Sequence, residues 1–94
     1  MVNCSKLIFS GDALQKMFSR NIAESQIRSV VEFGQIIKSY EDDKPHPSYL
    51  MLSIVNLSPL HVVVAKDKTD DSCIIITAYY PNEQIWNSDF KTKK

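Results

Sequence analysis

Leu60-His61-Val62-Val63-Val64-Ala65 and Cys73-Ile74-Ile75-Ile76-Thr77-Ala78-Tyr79-Tyr80 are two apolar, β-branched runs parted by the polar Asp67-Lys68-Thr69-Asp70-Asp71-Ser72. Side chains branched at Cβ fit the pleated surface of a strand, and near-continuous apolarity suits strands in the middle of a sheet. The polar connection is short enough for a hairpin, so the two runs predict neighbouring antiparallel strands. Upstream, Tyr49 to Val55 reads as a third strand, joined to Leu60 through Asn56-Leu57-Ser58-Pro59, and Gln35 to Tyr40 reads as a fourth. Between the last two lies Glu41-Asp42-Asp43-Lys44-Pro45-His46-Pro47, where two prolines and four charges break any ladder.

Further toward the N-terminus the period lengthens from 2 to about 3.6. Ala13, Leu14, Met17 and Phe18 share one helical face, and Ser10 or Asp12 can cap the free N–H groups at its start. This helix is expected to end near Arg20-Asn21. A second helix turns Ile27, Val30 and Val31 inward, carries Glu24 in its first turn, and closes at Gly34, placed for a left-handed cap. Lys6 to Phe9 is a short opening strand, and Pro81 to Trp86 reads as a turn into a last short helix capped by Asn82. The order β-α-α-β-β-β-β-α predicts an α+β fold: an N-terminal helical hairpin on one face of a mostly antiparallel sheet of four strands, or five. The other face must be half-polar or covered. Residues 1–94 form a single domain in this reading, with 1–5 and 91–94 frayed.

Eleven Lys plus Arg stand against eleven Asp plus Glu, so bulk charge does not point to a polyelectrolyte binder. The balance is uneven along the chain, with acid gathered at Glu41–Asp43 and Asp67–Asp71 and base at Arg20, Arg28 and Lys91–Lys94. Cys4 and Cys73 make no metal-spacing pattern and read as reduced cytosolic thiols. The longest apolar stretches are about six residues against the roughly 20 that span a bilayer, and the N-terminus shows no charged-then-apolar leader. A cytoplasmic location is expected, with no membrane association. No Gly-rich phosphate loop, zinc pattern or G-x-S-x-G occurs, which removes support for nucleotide hydrolysis, zinc-finger binding and serine-esterase chemistry.

Among residues able to carry chemistry, His61 opens an apolar strand and is either a hydrogen-bonded structural histidine or a general acid or base. Thr77 and Tyr79 share one face of the next strand. Pairing of position 61 with 77 would gather all three into a polar cluster, while a slip of one residue would set His61 beside Ala78 and Tyr80. Arg20 offers a planar guanidinium for a phosphate, or simply a cation at a helix C-terminus. Asp43 can pair with Arg20 and tie the loop to the helix. Tyr40, Tyr49, Tyr79, Tyr80 and Trp86 supply stacking surfaces for bases or else core. The acids Glu41, Asp42 and Asp43 have no histidine or further acid at metal spacing, and neither metal nor cofactor is expected.

Several separated segments then resemble one family: Asp12-Ala13-Leu14-Gln15-Lys16-Met17 with Arg20-Asn21-Ile22, Tyr40 through Leu50, Leu60-His61-Val62-Val63-Val64, and Ile75-Ile76-Thr77-Ala78-Tyr79-Tyr80-Pro81 with Trp86. In that order they are similar to a widespread prokaryotic family of small proteins labelled as a domain of unknown function and grouped with RelE-like and barnase-type ribonuclease toxins. The resemblance implies a RelE-like fold and the toxin of a type II toxin–antitoxin pair. Its partner would be a cognate antitoxin with a zinc-finger part and a helix-turn-helix part. The implied chemistry is metal-independent RNA cleavage with His61, Arg20, Thr77 and Tyr79 as catalytic residues and Asp43, Tyr49 and Trp86 binding substrate. It also gives weight to Pro45 and Pro81. The chain departs from the family pattern at Asp12, where members often have His, and at Asn21, where the usual tripeptide is Arg-Gly-Ile. Activity therefore turns on whether that histidine moves a proton. The competing expectation is a non-catalytic protein–protein interaction module with the same fold, which the balanced charge favours.

Overall fold

The structure, a computed structural model, describes residues 3–94. Its elements are β1 (Leu7–Phe9), α1 (Gly11–Arg20), α2 (Glu24–Phe33), β2 (Gln35–Tyr40), β3 (Ser48–Val55), β4 (Ser58–Asp67) and β5 (Ser72–Tyr79). The five strands form one mixed sheet in the order β1-β5-β4-β3-β2. Strands β2 to β5 are the antiparallel meander that the β-branched apolar runs and their short connections predict, and β1 adds a parallel edge through Leu7 opposite Cys73 and Phe9 opposite Ile75.

Local chemistry explains the element ends. Ser10 caps α1 by accepting the N–H of Ala13 at 3.0 Å, and Asn21 closes it in the left-handed conformation with φ 57°. The α2 start is tied by the Ala23 N–H donating to Gln26 Oε1 at 2.7 Å. Gly34 is not a left-handed cap, as expected from its place, but extended at φ −76°. What requires glycine there is a close approach: a Cβ would run into the carbonyl oxygens of Val30 and Leu52. Asn56 and Leu57, at φ 53° and 68°, make a two-residue turn with both centres left-handed, so β4 already begins at Ser58. Pro59 is tolerated inside β4 because β5 ends at Tyr79, opposite His61, and leaves the next part of β4 paired with β3 alone.

The helices do not form a hairpin packed on itself. α1 packs on β5, and α2 packs on β3 and β4. Ala13 and Met17 of α1 join Ile27, Val30 and Val31 of α2 with Met51, Leu60, Val62, Val64, Ile75 and Ala78 in one core. Leu14 and Phe18, expected on that same inward face, point away, and Phe18 is 90% exposed. Beyond β5 there is only the three-residue β1, too narrow a floor for a wide helical face.

Three expectations about the rest of the chain are corrected. No C-terminal helix forms after Pro81: a single turn joins the N–H groups of Ile85 and Trp86 to Asn82 O, and one turn cannot repay helix nucleation once Trp86 is drawn onto the sheet. The tail is not frayed, because Trp86 bridges to Lys93 and Asn87 donates to Thr92 Oγ1 at 2.9 Å. Nor are the cysteines thiols. Cys4 and Cys73 form a disulfide with Cα atoms 5.5 Å apart, brought together by the parallel pairing of β1 with β5. Ser5 is held at the same end, its N–H donating to Asp71 O at 2.8 Å. Of the N-terminal residues expected to fray, 1 and 2 lie outside the described residues.

Candidate functional site

On β4 the alternation sends Leu60, Val62 and Val64 to the helices and His61, Val63 and Ala65 to the opposite face. That second face carries the histidine of the site. It is covered around His61 by the chain's own C-terminal segment, residues 82–94, with Leu50, Leu52 and Trp86 buried beneath.

The register is neither of the two considered from sequence: His61 pairs directly with Tyr79, and Val63 with Thr77. A shift of two preserves the parity, so His61, Thr77 and Tyr79 do share a face. His61 and Tyr79 touch, with Nδ1 3.3 Å from the phenol oxygen and the rings 5.2 Å apart at 68°. Thr77 is half-buried one pair further along, and among the described residues it has no hydrogen bond to either. A bulge between Val63 and Val64 lets β5 carry the additional residue Ile76.

His61 is buried and engaged on every side. Its Nε2–H donates to Phe90 O at 2.8 Å, and the Trp86 ring stands edge-on to it at 4.6 Å and 88°. A carbonyl can only accept, so Nε2 carries the proton; Nδ1 of the neutral ring then accepts from the Tyr79 hydroxyl. Burial pushes the His61 pKa down, opposed by the bond to Phe90, so the imidazole is neutral at neutral pH. Burial likewise pushes the Tyr79 pKa up, with Tyr40 adding to the shift and the Arg20 charge opposing it.

Arg20 arrives from the C-terminal end of α1. Its Nη1 donates to Ala78 O at 2.8 Å, which docks the helix end on β5. Beside it opens a cleft of about 380 Å³ lined by Arg20, Tyr79, Tyr80, Asn82, Ile85 and Trp86. Gln26 of α2 reaches the rim, donating to the Tyr80 hydroxyl at 3.4 Å. Asn82 Oδ1 is occupied by the Gln84 N–H at 2.8 Å.

The cleft thus unites Arg20, Tyr79 and Trp86, with His61 directly behind Tyr79. Asp43 and Tyr49 stand elsewhere. Asp43 does not pair with Arg20; it accepts from Ser48 Oγ at 2.7 Å and from the Lys44 N–H, organising its own loop. Ser48 is four residues along β3 from Leu52, the partner of His61, which sets Asp43 roughly 13 Å down the strand. Tyr49 lies on the helix side of β3, packed against the core opposite Val64. Sequence reasoning missed Phe90, whose contribution is a backbone carbonyl, and gave Asn82 and Ile85 no part in a site. Among the described residues no three His, Cys, Asp or Glu side chains gather as a metal site, and no helix is long and apolar enough to cross a membrane.

Fold and cleft together define a small α+β domain whose polar site lies at the end of the β4–β5 pair, between the C-terminal end of α1 and the segment that follows β5. The chain belongs to the DUF4258 family, a domain of unknown function whose family model matches residues 9–80. That stretch contains Arg20, Asp43, Tyr49, His61, Thr77 and Tyr79 and stops short of Trp86 and Phe90. No curated protein and no solved structure matches the chain.

Proposed function

We propose that this protein is the toxin of a type II toxin–antitoxin pair, a RelE-like ribonuclease that cleaves RNA without a metal ion at the Arg20–Tyr79 cleft. The observation that carries the reading is the meeting of a guanidinium and a phenol, the latter backed by a neutral histidine, in a cleft of nucleotide size with aromatic walls. Arg20 keeps guanidinium N–H groups beyond the one on Ala78 O, and a planar fork of that kind matches a phosphodiester. Removal of the 2′-hydroxyl proton lets that oxygen attack the adjacent phosphorus, and Arg20 stabilises the charge that builds on the phosphate oxygens. Tyr80 and Trp86 offer faces and edges to the flanking bases. Asp43, Tyr49 and Thr77 do not line the cleft and have no part in this reading.

The test is RNA cleavage by the purified protein freed of any antitoxin. Arg20→Ala should lower the rate by about 100-fold or more, as expected for loss of a phosphate-stabilising group. Intact RNA after incubation with wild-type protein, together with normal growth of cells expressing it, would remove the reading. A non-catalytic interaction module is the second reading, favoured by the complete burial and double hydrogen bonding of His61. Co-expression of the neighbouring gene separates the two: rescue of growth supports a toxin and its antitoxin, whereas co-purification without any growth effect supports the module.

A further inference from the structure

We infer that His61 is a positioning residue that never meets substrate: it acts through Tyr79, and the carbonyl of Phe90 decides which of its nitrogens faces the phenol. The inference rests on the ribonuclease reading and assigns the roles within it.

The geometry leaves His61 one outlet. It is buried, so a ligand in the cleft reaches Tyr79 and not the imidazole. Its Nε2–H is held by Phe90 O at 2.8 Å, Trp86 closes one flank, and Leu52 is its neighbour across the β3–β4 ladder. With the proton fixed on Nε2, the Nδ1 lone pair points to the Tyr79 oxygen 3.3 Å away and draws its hydrogen inward. The phenol oxygen then turns its own lone pairs toward the cleft, where a hydroxyl needs an acceptor. A 2′-hydroxyl bound beside Arg20 donates a hydrogen bond to the Tyr79 oxygen, which orients it, and its proton passes to a hydroxide ion from solvent as it attacks. The 2′-oxygen forms a bond to phosphorus, the bond from phosphorus to the 5′-oxygen breaks, and the leaving oxygen takes a proton from water. The products are a 2′,3′-cyclic phosphate and a 5′-hydroxyl. The hydroxide used at the 2′-oxygen is restored when the leaving oxygen takes its proton from water, and the His61–Tyr79 pair keeps its protons throughout.

Two substitutions separate this role from simple support of the fold. The amide of His61→Asn falls near the place of Nδ1 and can still accept from Tyr79, while that of His61→Gln falls near Nε2 and can still reach Phe90. With folding of both verified by circular dichroism, His61→Asn should cleave RNA within about tenfold of wild type and His61→Gln should lose about 100-fold or more, the range expected when a reacting group is misplaced. Equal activity of His61→Gln and wild type, or equal loss in both variants, overturns the assignment. A second measurement serves where a variant does not fold: ¹⁵N resonances of the His61 ring in the intact protein should show hydrogen on Nε2, and the Nδ1 resonance should move in Tyr79→Phe. Hydrogen on Nδ1, or no response to Tyr79→Phe, overturns it equally. Failure of wild-type protein to cleave RNA defeats the ribonuclease reading alone, since the ring resonances still report whether His61 is tied to Tyr79.

Discussion

Tyr79 joins a buried ring to an open cleft, and removing its hydroxyl has a consequence for stability as well as chemistry. In Tyr79→Phe the Nδ1 of His61 stays buried without its donor, which should cost about 1–3 kcal/mol in denaturant unfolding. The titration of His61 adds a pH dependence of known sign. Its folded pKa lies below the ordinary value of 6.5, so as pH falls through 6.5 the unfolded chain takes up a proton that the folded chain refuses. The His61 contribution is therefore complete above pH 6.5 and is lost progressively below it, down to the folded pKa. Unfolding free energy measured from pH 7 to 5 should decline in wild type and stay flatter in a folded His61→Gln variant. Asp67, Asp70 and Asp89, whose pKa values are held down by neighbouring hydroxyl or backbone N–H donors, act only in the more acid range below the ordinary value of 3.8.

The elements show what a reader of the sequence could and could not see. Apolar, β-branched runs at Tyr49–Val55, Leu60–Ala65 and Cys73–Tyr80, parted by short polar connections, carried the meander. Strand parity put Thr77 and Tyr79 on one face, and the register of β4 against β5 decided that His61 joins them. Legibility ended where a partner far along the chain decides the outcome. The parallel β1–β5 contact, the disulfide and the grip of Phe90 on His61 span separations of 66, 69 and 29 residues, taking Leu7–Cys73 for the first. A backbone carbonyl, moreover, has no residue signature. Two element-level substitutions follow. Gly34→Ala should destabilise by about 1–3 kcal/mol, since the added methyl meets rigid carbonyls on both sides. Leu57→Gly should do the reverse: Leu57 is left-handed and 97% exposed, it has no burial to lose, and glycine relieves about 1 kcal/mol of strain at the turn. Thermal melting of the two variants checks both signs.

At the scale of the whole molecule, the two ends of the chain are tied to the sheet by different means. The N-terminal end is held covalently, and a bridge closing a loop across 69 residues stabilises by about 4 kcal/mol in the chain-entropy account. Cys4→Ser, or wild-type protein in a thiol reductant, should unfold at markedly lower denaturant than the oxidised form. The C-terminal end is held by the edge-on contact of Trp86 with His61, the carbonyl of Phe90, and its own turn-back from Asn87 to Thr92. Trp86 is the one tryptophan of the sequence, and it lines the cleft while touching the imidazole behind it. The molecule thereby contains its own optical reporter. Emission excited at the indole band arises from this single site, so lifting of residues 82–94 off the sheet would shift it to the red, and occupancy of the cleft would change its intensity at fixed wavelength.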